Sequence, residues 1–231
     1  ENFTIRVSDT SDPNNVLDYS DVYFHIRPKI NVTSPTNGQN IHVLTNYTNL
    51  IKWNTTGTVT YVDIKYDIQG GAGGYPYTIA LHVLSSEGAA GYTWNNVPAL
   101  PTYQAKIRII DNSSSTVYGE SENFNILGKL VLNSPAGGEN FTILDNTTTI
   151  GWTATNVTDM KISYSTNGGV DWTFLKVIPD AANATVTYWD ANMPEVVPDY
   201  ARIKINATAN EAINATSANF SLFERFDITS P

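Results

Sequence analysis

The sequence predicts an all-β protein made of tandem β-sandwiches stacked end to end. Three observations carry that expectation. Apolar residues recur at every second position, turn residues interrupt the chain every ~8–12 residues, and the chain matches itself when slid by about 100 residues.

The elements follow in chain order. "TIRVSD" (4–9) has counterparts in "AKIRIID" (105–111) and "ARIKINA" (201–207), and "SDVYFHI" (20–26) has counterparts in "SENFNI" (121–126) and "SANFSL" (217–222). Residues 1–27 are therefore expected to be the last two strands of a truncated repeat. Residues 28–128 form one whole repeat, opened by "INVTSP", and 129–225 form the next, opened by "LVLNSP". "FDITSP" (226–231) is expected to be the first strand of a further repeat. Between the two whole units Ser34-Pro35 matches Ser134-Pro135, Gly38 matches Gly138, Asn40 matches Asn140, Leu44 matches Leu144 and Asn46 matches Asn146. After a one-residue gap Trp53 matches Trp152, and further on Ile64 matches Ile162 and Tyr66 matches Tyr164. The chain thus reads as a window on a longer array. The rival expectation is that the partial units at the two ends complete sandwiches in neighbouring subunits by strand donation.

Within each unit the period is two. Ala105, Ile107 and Ile109 alternate with Lys106 and Arg108, and Ala201, Ile203 and Ile205 alternate with Arg202, Lys204 and Asn206. Such alternation means half-buried strands, and no 12-residue window carries a helical stripe. Asn167-Gly168 between "KISYS" and "DWTFLKVI" predicts a type I′ hairpin. Trp53 and Trp152 are expected in the cores, with Trp94 and Trp189 as a second equivalent pair. About seven or eight strands per unit fit an immunoglobulin-like sandwich. Only "NFNIL-G-KLVLNSP" joins the two units, with no Gly/Ser or Pro-rich spacer, so adjacent sandwiches should form a rod with little hinge motion.

"SPAGGEN" (134–140), "IGW" (150–152) and "MKISYSTNGGVDW" (160–172) resemble the tandem immunoglobulin-like repeats of large secreted and cell-surface proteins of bacteria and archaea. They are also similar to the Ser/Thr-rich immunoglobulin-like domain of fungal cell-wall proteins. The first unit departs after Tyr66, where "DIQGGAGGYPY" implies a longer loop. The resemblance implies the fold and an extracellular or cell-surface setting, and it brings no catalytic residues.

Composition narrows the partners. The net charge is −9 and the pI about 4.6, the wrong sign for a nucleic-acid surface. No apolar run approaches the ~18 residues of a membrane helix, so no membrane insertion is expected of this segment. The chain has no Cys, which removes disulfides and thiolate metal sites. It opens without Met or a signal pattern, so any targeting segment is expected to have been removed or to lie outside it.

One feature exceeds fold. Asn-x-Ser/Thr sequons begin at Asn2, Asn31, Asn46, Asn54, Asn112, Asn140, Asn146, Asn156, Asn183, Asn206, Asn214 and Asn219. The Asn, Ser and Thr content would give about five by chance. Asn2, Asn31, Asn206 and Asn219 fall on outward phases of their strands, where a bulky, solvated glycan fits. Covalent N-glycans are therefore the expected partners. An unmodified surface rich in Thr for strands and Asn for turns is the competing explanation.

The rest of the sequence leads to no expected chemistry: no catalytic residues, no metal ligands, no cofactor. His25, His42 and His82 are scattered. "GGAGGYP" lacks the Lys-Ser/Thr and helix of a phosphate loop. Calcium comes into consideration only at Asp9, Asp12, Asp18 and Asp21, whose spacing fits no EF-hand and whose counterparts in the other units are less acidic. Trp172, Tyr75 and Tyr77 are the candidates for an exposed aromatic platform. The expected function is a structural segment of an N-glycosylated surface fibre, filament or sheath whose other partners are neighbouring copies of itself. The alternatives are an adhesin or carbohydrate-binding segment, or accessory domains of a secreted enzyme.

Overall fold

The computed structural model describes residues 2–142, 148–189 and 200–224. "FDITSP", Leu144 and Asn146 lie outside the described residues. The chain opens with a two-stranded ribbon, β1 (Arg6–Ser8) against β2 (Leu17–Tyr19), extended by a Phe3–Phe24 bridge. Its apolar side chains, Ile5, Val7, Val22 and Ile26 among them, are exposed.

The first sandwich has β3 (Lys29–Ser34), β5 (Tyr47–Thr56) and β8 (Tyr92–Trp94) in one sheet. The facing sheet runs β4 (Asn40–His42), β11 (Phe124–Leu127), β9 (Thr102–Asp111), β6 (Tyr61–Asp67) and β7 (Tyr77–Leu84), and β10 (Ser114–Glu120) also pairs with β9. The second sandwich repeats the plan. β12 (Lys129–Ser134), β14 (Thr149–Thr155) and β17 (Val186–Tyr188) face β16 (Thr173–Ile178), β15 (Met160–Ser165), β18 (Arg202–Ala207) and β19 (Asn214–Thr216). β13 (Asn140–Thr142) pairs in parallel with β20 (Ser221–Phe223), as β4 does with β11. Two facing sheets with a first strand that switches to pair in parallel with the last strand make an immunoglobulin-like topology. The bridge Ala201–Phe220 and the pair Ala105–Phe124 sit where the ribbon has Phe3–Phe24.

The period-two pattern places the cores. Ala105, Ile107, Ile109, Ala201, Ile203 and Ile205 are all 0% exposed. Trp53 and Trp152 are each 1% exposed, and Trp94 and Trp189 are buried beside them. Burying a side chain of this size removes roughly 150–250 Å² from water, a gross gain of about 4–6 kcal/mol. Rings then lock the core: Tyr66 stacks on Tyr77 within one sheet, while Trp94 of the facing sheet tilts on Tyr66 and meets Phe124 edge-on. The second unit copies this with Tyr164, Trp189 and Phe220.

The opening motif of each unit has a structural job. Ser34–Pro35 and Ser134–Pro135 are both cis. Glu139 accepts the amide N–H groups of Ala136 and Gly137, both at 2.6 Å, and Gln39 accepts that of Thr36 at 3.0 Å. The acidic or amide residue of the motif therefore ties its own turn.

One expectation is corrected. The strands flanking Asn167-Gly168 do form a hairpin, but 166–172 separate them and the turn is not a two-residue type I′. Gly168 and Gly169 take the positive φ values, +72° and +95°, while Asn167 organises the loop through its side chain. Its Oδ1 accepts from Ser165 Oγ and the Asp171 amide, and its Nδ2 donates to Asp171. In the first unit buried Asp67 replaces Ser165 and holds a longer loop by accepting from the amides of Gly71 and Gly73. The first sandwich also holds one turn of 3₁₀ helix, Ser85–Gly88, laid against Trp53.

Candidate functional surface and the joint between sandwiches

The strands decide which sequons are open. Asn2, Asn31, Asn46, Asn54, Asn112, Asn140, Asn156, Asn183 and Asn214 are exposed. Asn219 is half-buried, with its Oδ1 bonded to Arg202 Nε. Asn206 is a correction: it is 6% exposed, not outward in solvent. It does lie on the opposite face of β18 from Ile205, but that face is roofed. Lys161 and Asn214 flank Asn206 in register, and the Lys161 ammonium reaches over to Glu211. The Asn206 Oδ1 beneath them has no hydrogen-bond partner among the described residues.

Amide availability differs too, because glycosyl transfer consumes an N–H of the Asn side chain. Asn183 Nδ2 is tied to the Asp180 carboxylate at 3.0 and 2.8 Å, Asn214 Nδ2 to the Glu211 carbonyl, and Asn112 Nδ2 to Asp63. Asn31 and Asn54 are directly opposite each other across β3 and β5, a pairing the sequence did not disclose.

The proposed aromatic platform is largely taken apart by packing. Tyr75 is 2% exposed: its ring lies 3.9 Å under the Arg108 guanidinium, whose other side faces Tyr118 at 4.4 Å. Arg108 and Lys106 both pair with Glu120. Burial raises the Glu120 carboxyl, yet the bonds from Arg108, the nearby Tyr75 phenol and the Lys106 ammonium outweigh it and hold the group below its ordinary value. Burial, then the Glu120 charge, push the Tyr75 phenol well above 10. Tyr77 is half-buried against Tyr66. Trp172 is half-buried with the Lys204 ammonium 4.4 Å from its ring centre, and Phe174, two residues on, is 59% exposed.

The titratable groups do not converge. Among the described residues no three His, Asp or Glu side chains come together in a group that could hold a metal ion. Asp9 accepts from the Ser11 hydroxyl and amide, which lower its pKa, and Asp12 accepts from Asn15. Those carboxylates are used within their own loop. His82 stacks on Tyr61 with ring centres 3.9 Å apart.

His42 serves the joint, a role nothing in its sequence context indicated. β11 ends at Leu127 and β12 starts at Lys129, so Gly128 alone connects the sandwiches. A Cβ on Gly128 would lie 2.4 Å from the Asn156 carbonyl, so only glycine permits this approach. His42 Nδ1 bonds the Gly128 carbonyl at 2.8 Å and Lys129 Nζ donates to the Leu44 carbonyl at 3.0 Å. On another side Asn210 Nδ2 donates to the Tyr103 hydroxyl at 3.3 Å. There the units leave a cleft of about 360 Å³, lined by Pro101, Tyr103 and Leu127 from the first unit and by Asn156, Val157 and Ile213 from the second.

No protein-family model matches this chain, and no curated protein matches it. Among solved structures it is similar to the fibronectin(III)-like modules of Clostridium thermocellum CbhA, at 14% identity over 85% of this chain and 94% of that one, with a TM-score of 0.26. The N-terminal four Ig domains of Dscam1 isoform 1.9 match at 13% identity over 96% of this chain and 54% of that one, with a TM-score of 0.29. The two tandem V-type regions of VCBP3, a v-region-containing chitin binding protein, match at 7% identity over 84% and 99%, with a TM-score of 0.28. Similarity this low says nothing of what the chain binds. Its own strand order makes it a tandem of immunoglobulin-like β-sandwiches.

Proposed function

We propose that this chain is a structural segment of a long, N-glycosylated array on a cell surface or in a fibre, filament or sheath. The observation that carries the proposal is the joint. Two sandwiches meet through a single glycine, reinforced by the His42 and Lys129 bonds across it. Such a joint transmits orientation from unit to unit, as a load-bearing or spacing element requires. The exposed sequons support the sugar coat, which would cover sheet edges and hinder proteases. Neighbouring copies are the proposed assembly partners, and the bacterial or archaeal surface-repeat resemblance fits this role.

The test is made on native material. Denaturing mass spectrometry should give a mass well above the 25.3 kDa of this segment. A mass of one segment plus glycans supports strand donation instead. Glycopeptide mapping should find sugar at the exposed sequons, and bare Asn throughout removes the coat. A second reading, a carbohydrate-binding segment, keeps one observation in its favour: Phe174 is 59% exposed beside half-buried Trp172. Glycan-array binding lost in Trp172→Ala would favour it.

A further inference from the structure

We propose that the carbohydrate on Asn156 lies in the cleft between the two sandwiches and fixes the angle of the joint. This rests on the glycosylated reading above and gives one of its sugars a mechanical role.

Asn156 is the residue that follows β14, and it takes a left-handed conformation with φ +53°. The counterpart in the first unit is Gly57, also left-handed at φ +82°, whose backbone approaches Pro28 at that unit's own entry. Both units thus bend at the same place beside the preceding segment. Asn is one of the few side-chain-bearing residues that adopts this conformation readily. At this bend the second unit carries an acceptor sequon, and the first unit has no side chain at all. Asn156 and Thr158 are exposed, and among the described residues no hydrogen bond occupies the Asn156 side-chain amide.

The cleft suits a tethered sugar. It is lined mainly by apolar groups, and its volume falls within the ~300–1,000 Å³ of small-molecule sites. Tyr103, 63% exposed on the opposite wall, offers a ring face against which a sugar can stack. Its hydroxyl already meets Asn210 of the second unit, so a sugar there would touch both sandwiches. Attachment at the rim removes most of the entropic cost of binding, because the second contact becomes intramolecular. The direct bonds across the joint from His42 and Lys129 involve neither Asn156 nor Tyr103. A wedge in the cleft would add a further, separate point of fixation.

The test uses the full 231-residue chain made in an N-glycosylating host. The absence of Cys allows spin labels at Glu87→Cys and Val170→Cys, both exposed and one in each unit. Pulsed electron–electron resonance reads the width of the distance distribution, and intact-glycopeptide mass spectrometry reads occupancy at each sequon. The expected result is a distribution that narrows when Asn156 is occupied, with the narrowing lost in Thr158→Ala, which removes the sequon hydroxyl and leaves Asn156 in place. Tyr103→Ala should abolish the narrowing while Asn156 stays occupied. Occupied Asn156 with unchanged width overturns the wedge and leaves the sugar coat standing. Bare Asn156 beside occupied Asn31 overturns the wedge at its first step, and sugar at no sequon overturns both readings.

Discussion

Trp53 and Trp152 occupy the same place in two copies of one fold, yet they differ by one hydrogen bond. Trp152 Nε1 donates to the Ala181 carbonyl at 2.9 Å, whereas the buried Trp53 Nε1 has no partner among the described residues. The 3₁₀ turn packs on the second of these rings: a Cβ on Gly88 would lie 2.6 Å from the Cδ2 and Cε2 atoms of Trp53, so the backbone is pressed onto the indole. Phe in place of each Trp removes a similar packed volume, and that common loss cancels in the difference. Trp152→Phe also forfeits a bond with a net contribution of about 0.5–1.5 kcal/mol, while Trp53→Phe removes an unsatisfied donor costing about 1–3 kcal/mol. Trp152→Phe should therefore be the more destabilising by about 2 kcal/mol or more. Native-state hydrogen exchange reads each unit separately, through the amides of Ile64 and Ile109 for the first and of Ile162 and Ile205 for the second. A 2 kcal/mol gap is roughly a 25-fold difference in the acceleration of exchange. Equal acceleration in the two variants, or a larger one in Trp53→Phe, refutes the hydrogen-bond argument.

Other predictions follow from the same geometry. Arg108→Lys should cost the first unit about 1–2 kcal/mol in a urea titration, because a point charge cannot fill the slot between Tyr75 and Tyr118. Burial raises the Glu139 carboxyl, but the Ala136 and Gly137 amides outweigh it and hold it below 4.5. Its contribution is thus complete above that value and lost as pH falls through the lower folded pKa, so Glu139→Gln should make the second unit's stability less sensitive to acid, as judged by exchange at falling pH. Burial, helped by Tyr77, raises the Tyr66 phenol to about 12. The first unit should therefore lose stability as pH rises from about 10 towards 12, and Tyr66→Phe should remove that loss in an alkaline titration. Asn31 and Asn54, with Cβ atoms about 4.5–5.5 Å apart, should rarely carry sugar in the same molecule. Asn31→Gln should then raise occupancy at Asn54, and independent occupancy in glycopeptide mapping would count against the crowding argument.

The sequence by itself determined the architecture. Alternation is a local property, so Ala105, Ile107, Ile109 and their copies at 201, 203 and 205 revealed their buried face without any knowledge of partners. Repetition located the core tryptophans, since only a packed position keeps Trp at the same place in both copies. Sequons are equally local, and most proved exposed. What failed was whatever depended on a second element. Asn206 has the correct phase for solvent, but it is buried in the middle of its sheet, with Lys161 and Asn214 beside it in register on the neighbouring strands. Tyr75 sits in a Gly-rich loop that reads as open, and its ring is buried by Arg108 and Tyr118 from strands pairing with each other. The Asn31–Asn54 opposition depends on strand register, and the roles of His42 and Asn156 depend on how two domains approach each other. Period and motif are written along the chain. Contact, roofing and the angle between sandwiches arise only when distant segments share space.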